Sequence, residues 1–119
     1  MNEYQQKLKS KMNEYAHLAF KLTADFPKSE IYGVTSQSRR SSLSIILNYV
    51  EGYARKRPLV RFNFLETSYG SLQESKYLLE FSYAEKYLTS TDYDNSLRLA
   101  EEIGAMLWKE IEHLEKSLK

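Results

Sequence analysis

Cysteine is absent from this 119-residue chain, proline occurs twice and glycine four times. Each scarcity excludes something. Without thiols there is no disulfide framework and no thiolate zinc site, which fits a reducing compartment. With so few turn formers, the elements must be long. No apolar run approaches the roughly 20 residues that span a bilayer. The start, MNEYQQKLKSKMNEY, has no apolar signal core. The expectation is a cytoplasmic protein with no membrane attachment and no cofactor.

What is present is an ordinary globular balance. Hydrophobic residues make up 42% and charged residues 28%, enough for one core and one domain over residues 1–119. Net charge is +1, but it is unevenly spread. Residues 33–61 carry Arg39, Arg40, Arg55, Lys56, Arg57 and Arg61 against Glu51 alone, whereas residues 62–119 carry six Lys/Arg against eleven Asp/Glu. That middle segment is a candidate partner surface.

Periodicity predicts four helices and no strand. The first runs from about Glu3 to Asp25, on a stripe of Leu8, Met12, Tyr15, Ala19, Leu22 and Phe26, and Pro27 ends it. The second covers about Ser36 to Arg55, with Thr35 or Ser36 as N-cap. Leu43, Ile45, Ile46, Leu47, Tyr49 and Val50 spread around most of its circumference, which predicts a buried helix. Gln37, Ser41, Ser44, Asn48, Glu51 and Arg55 form one polar line along it. The third helix starts at Pro58 and continues to about Leu88, with Gly70 in its middle suggesting close approach of another helix. Asp92 is the expected N-cap of the fourth, whose seam is Leu97, Ala100, Gly104, Leu107, Ile111, Leu114 and Leu118. Short connections favour an all-α, antiparallel, up-and-down four-helix bundle.

Catalytic and metal chemistry is thin. His17 and His113 lack metal-ligand company, and phosphate loops, dinucleotide motifs and nucleophile elbows are missing. No catalytic residue and no metal ligand is assigned, and a binding module is expected rather than an enzyme. The polar line reads as an internal network of Gln37, Ser44, Asn48 and Glu51, with Ser71 and Glu74 from the third helix. Arg55 is placed to pair with Glu51 four residues before it. The basic residues suit a phosphate backbone contacted without base reading, or a contact between copies of the chain. Ten tyrosines and one tryptophan favour an interface of some kind.

The middle of the chain carries a family likeness. Tyr32-Gly33-Val34-Thr35-Ser36-Gln37-Ser38-Arg39-Arg40 is followed by Ser44-Ile45, by Asn48-Tyr49-Val50-Glu51-Gly52, and by Gly70-Ser71-Leu72-Gln73-Glu74. This combination resembles the four helix bundle protein family, the intervening-sequence-encoded proteins of bacterial large-subunit ribosomal RNA. The resemblance implies an up-down four-helix bundle and a ring-shaped homo-oligomer, commonly a pentamer. One branch of that family, the accessory variability determinant of diversity-generating retroelements, binds nucleic acid and a reverse transcriptase through basic surfaces. The resemblance thus implies RNA or DNA, and a protein such as a reverse transcriptase, as partners. The leading expectation is a non-enzymatic oligomer that binds nucleic acid through the basic segment around helix two. The alternative is a self-assembling scaffold with a protein partner and no nucleic-acid role.

Overall fold

A computed structural model describes all residues from Met1 to Lys119. It contains four long helices, α1 (Glu3–Thr23), α2 (Val34–Ala54), α3 (Pro58–Ala84) and α4 (Ser90–Ser117), with a single 3-10 turn at Lys28–Glu30. Each helix packs on the next, and α1 closes the ring against α4. Paired positions run in opposite directions at every seam. Gln5 bonds Tyr53 while Arg39 bonds Thr23. Ser44 bonds Ser71, and Arg61 reaches Gly52. Tyr69 meets Trp108 while Tyr83 stacks on Tyr93. Tyr4 reaches the Met106 carbonyl and Lys11 pairs with Glu102. The bundle is therefore antiparallel throughout, and measures 46 × 25 × 20 Å.

Local chemistry explains the ends. The Asn2 side chain accepts from the Gln5 N–H at 2.8 Å and the Gln5 side chain accepts from the Asn2 N–H at 3.0 Å, a capping box at the start of α1. The second helix starts at Val34, with Gly33 as its N-cap, and not at Thr35 or Ser36. The connector before it is tightly packed. A β-carbon on Gly33 would lie 2.6 Å from a Glu30 carboxylate oxygen, and that carboxylate is pinned by the Tyr87 hydroxyl at 2.9 Å. Helix α3 stops at Ala84, four residues short of the expected end. Lys86 takes φ 65°, and the Lys86 and Tyr87 N–H groups donate back to Tyr83 and Ser82, a Schellman end built without glycine. Thr89, not Asp92, caps α4, accepting from the Asp92 N–H at 3.1 Å.

The core is one cluster of twelve residues, including Leu8, Met12, Ile45, Leu65, Leu72, Ile103 and Leu107. A smaller cluster of Phe26, Val34 and Leu88 seals the end that holds the α1–α2 and α3–α4 connectors. Two tyrosines cross the bundle diagonally. The Tyr15 hydroxyl of α1 bonds Ser75 of α3 at 2.7 Å, and the Tyr49 hydroxyl of α2 donates to Glu110 of α4 at 2.6 Å. Burial pushes the Tyr15 hydroxyl up to about 12, so it stays protonated and bonded at any working pH.

Three sequence expectations about helix faces are corrected. Gly70 is not a close-approach site, because a β-carbon there would meet nothing within 4 Å. The tight positions are Gly52, beside Phe64, and Gly104, beside Leu72. The seam of α4 is turned slightly from the predicted one, centring on Ser96, Leu99, Ala100, Ile103, Leu107 and Ile111, with Leu118 exposed. Most important, α2 is not buried all round. It buries Ser41, Ser42, Ile45, Tyr49 and Gly52, while Leu43, Leu47 and Val50 are 38%, 62% and 40% exposed. Serines between α2 and α3 let those helices close up, and the Ser68 hydroxyl donates to the Ile45 carbonyl at 2.6 Å.

Candidate functional site

The six basic candidates do not form one patch. Arg39 and Arg40 lie near the start of α2, and Arg55, Lys56, Arg57 and Arg61 surround the α2–α3 turn, roughly 20 Å away along the helix. Three of the six have duties inside the chain. The Arg39 guanidinium donates to Thr23 at 3.0 Å and lies over the Phe20 ring. Arg55 pairs with Glu51 and lies over Phe64. Arg61 donates to the Gly52 and Arg55 carbonyls and stacks on Tyr53, closing the carbonyl end of α2. The Arg40, Lys56 and Arg57 side chains make no hydrogen bond or ion pair within the chain.

Antiparallel folding turns the uneven charge of the sequence into two unlike ends. The half that holds the α2–α3 turn comprises residues 1–13, 46–70 and 105–119. It carries ten Lys/Arg against six Asp/Glu. The half that holds the α3–α4 turn carries seven against ten. The exposed Lys56 and Arg57 stand at the tip of the basic half.

The polar line of α2 divides as well. Ser44 and Ser71 bond at 2.7 Å, and the Asn48 amide donates to the Ser44 carbonyl and hydroxyl. Glu51 pairs with Arg55 four residues on, away from this network. Gln37 and Glu74 are exposed and take no part in it. Instead they line an outward groove of about 460 Å³ between α2 and α3, together with Arg40, Ser41, Leu43, Ser44, Leu47 and Asn48. The groove contains no histidine and no second carboxylate, so any acid–base work in it would fall to Glu74 alone. The expected internal network is therefore not enclosed: Ser44 and Asn48 are half-buried, and with the exposed Gln37 and Glu74 they line an open surface. The signal that marks this surface is the four-and-three spacing of Leu43, Leu47 and Val50 beside the polar line.

Glu110 is a buried group that sequence reading passed over. It lies on the apolar seam between Leu107 and Ile111. One carboxylate oxygen accepts from Tyr49, and the other is buried without a partner. Burial holds its carboxyl above the ordinary value of 4.5, against the pull of the Tyr49 hydrogen bond. Tyr49 is raised in turn by its own burial and by Glu110. Both histidines close a Glu-x-x-His spacing, Glu14 to His17 and Glu110 to His113. Neither pair finds a third ligand, and no group of three His, Asp or Glu side chains is placed to hold a metal ion.

Comparison with known proteins bears on this geometry. The 23S rRNA-intervening sequence protein family matches residues 5–109. No curated protein matches the chain. Among solved structures, the fold is similar to that of a protein of unknown function from the S23 ribosomal protein family of Bacteroides thetaiotaomicron. The two superpose with a TM-score of 0.82 at 24% identity, over 87% of this chain and 97% of the other. That likeness speaks to the fold.

Proposed function

The chain belongs to the 23S rRNA-intervening sequence protein family, and from that premise we propose that it is a non-enzymatic, self-associating bundle that binds nucleic acid through its basic end. The observation that carries this is the unlike charge of the two ends, with Lys56 and Arg57 unpaired at the tip of the basic one. Such a surface engages phosphates by charge and releases counterions, without reading bases. The contact surface is narrower than the whole segment around helix two. Arg39 and Arg61 are committed to internal contacts, and Arg55 is half neutralised by Glu51. Structured RNA is the favoured ligand, given the ribosomal RNA in the family's name.

The test is filter binding of RNA and DNA at low salt. Lys56→Glu with Arg57→Glu weakens retention alike for unrelated sequences and flattens the salt dependence, while Gln37→Glu, in the acidic half, has a smaller effect. Absence of retention by the native protein at low salt overturns the reading. A second reading, a scaffold with a protein partner and no nucleic-acid role, is favoured by the outward apolar line on α2. It predicts intact assembly and no retention of either nucleic acid.

A further inference from the structure

Trp108 is the one tryptophan of the chain and has no place in the core. It stands on α4 beside α3 and keeps 49% of its surface exposed, although the Tyr69 ring leans on it with centroids 5.2 Å apart. The two rings are inclined by 50°, so neither covers the other's face. Beside the pair, α3 and α4 enclose a groove of about 330 Å³. Gly104 and Ala105 border it with almost no side chain, which leaves a low wall next to the indole. Gln73, Lys76 and Glu101 also line it, and Lys76 and Glu101 make no ion pair there. Each of these groups has a counterpart in a nucleotide. A base has a flat face that stacks on an aromatic ring whatever its identity. The Gln73 amide and the Glu101 carboxylate offer donors and acceptors to a base edge, and the Lys76 ammonium suits a phosphate. Position agrees with chemistry. Tyr69 and Trp108 belong to the basic half, and Tyr69 lies roughly 17 Å along α3 from Pro58, next to Lys56 and Arg57.

We propose that the Tyr69–Trp108 groove is a stacking site for one unpaired base, on an RNA strand held by charge at the α2–α3 turn. The proposal rests on the nucleic-acid reading above and names the form of RNA it takes: a single strand or a loop. A base inside a duplex is already stacked on both faces and paired along its edge, so it has nothing to offer this groove, whereas loops and ends present bases that do. A base is favoured over a protein side chain because an aliphatic or aromatic side chain entering here would leave Gln73, Lys76 and Glu101 desolvated without partners.

Because the chain has a single tryptophan, its fluorescence reports on this groove alone. Titration of the native protein with a single-stranded RNA of about ten nucleotides is expected to quench the emission to saturation. A duplex of the same sequence is expected to leave it nearly unchanged. In filter binding at low salt, Trp108→Ala weakens single-strand retention about tenfold and leaves duplex retention as it was. It does so without altering the slope of the salt dependence, since stacking releases no counterions. Trp108→Phe, which keeps an aromatic face, retains most of the single-strand binding. Lys56→Glu with Arg57→Glu lowers retention of both forms and flattens the slope. Helix content by circular dichroism is unchanged in Trp108→Ala, because the residue is outside the core cluster. Should that variant not fold, the native titration and Trp108→Phe still decide. A native protein that retains neither form overturns the nucleic-acid reading and this site with it. Native retention with equal quenching by duplex and single strand, or with single-strand retention untouched by Trp108→Ala, overturns only the stacking site.

Discussion

Helices α2 and α4 both carry apolar residues three and four apart, and they put them to different use. In α4 the stripe from Leu99 through Ala100, Ile103 and Leu107 to Ile111 is core. In α2 there are two stripes. Ser42, Ile45, Tyr49 and Gly52 face inward, whereas Leu43, Leu47 and Val50 face out. A periodic stripe announces that a face can be buried, and does not say whether the partner is the same chain. What separates the cases here is count. A helix in a ring of four can bury only about half of its circumference against its two neighbours, so α2, apolar over more than that, has surface to spare.

Substitution can break this comparison or sharpen it. Leu107→Ala opens a cavity in a fully buried position, and should cost about 2–5 kcal/mol in urea unfolding. Leu47→Ala should change the unfolding of dilute, monomeric protein by about 0.5 kcal/mol or less. Equal losses at the two sites would end the distinction between them. Tyr49→Phe comes next, at about 1–3 kcal/mol, because it removes the hydrogen bond that the buried Glu110 carboxylate accepts from the Tyr49 hydroxyl. Its cost also depends on pH, with a definite sign. Burial holds the Glu110 carboxyl above 4.5, so the folded chain keeps that proton longer than the unfolded one. The stability linked to it is complete below 4.5 and is lost as pH rises through the folded value. Removing the Tyr49 hydroxyl lifts that value further, so the penalty of Tyr49→Phe should be larger at neutral pH than below pH 4.5. A penalty independent of pH would mean that Glu110 is not the group affected. The smallest effect is a gain. Gly70 faces open space, and Gly70→Ala should stabilise the helix by about 0.5–1 kcal/mol in thermal unfolding. Gly104→Ala should gain less, since its new methyl meets Leu72 Cδ2 at 3.2 Å.

Much of the fold was legible in the residues. Four helices and their order follow from periodicity and punctuation, whereas the cap of α4 falls on Thr89 and not on Asp92. What escaped reading depended on tertiary contact. The end of α3 is set by Lys86 in a left-handed conformation, where nothing in the sequence replaces the usual glycine. Gly70 and Gly104 look alike in the sequence, and only the rotation of each helix shows which one has a neighbour. Of the site, the pairing of Glu51 with Arg55 follows from their spacing along α2, whereas the meeting of Ser44 and Asn48 with Ser71 depends on how α2 packs on α3. Glu74 is expected in the internal network, yet it is exposed while the next residue, Ser75, is buried. The basic residues were close in sequence but divided by the length of α2. The other basic residues of that half, among them Lys7, Lys109 and Lys116, come from α1 and α4.

The concentration dependence of thermal unfolding tests the central claim most directly, because association stabilises the folded state by mass action. If the outward face of α2 is buried between copies, the native midpoint rises as protein concentration increases, and the Leu47→Glu midpoint stays constant. A native midpoint that does not move with concentration, or a Leu47→Glu midpoint that rises in parallel with it, would contradict the account.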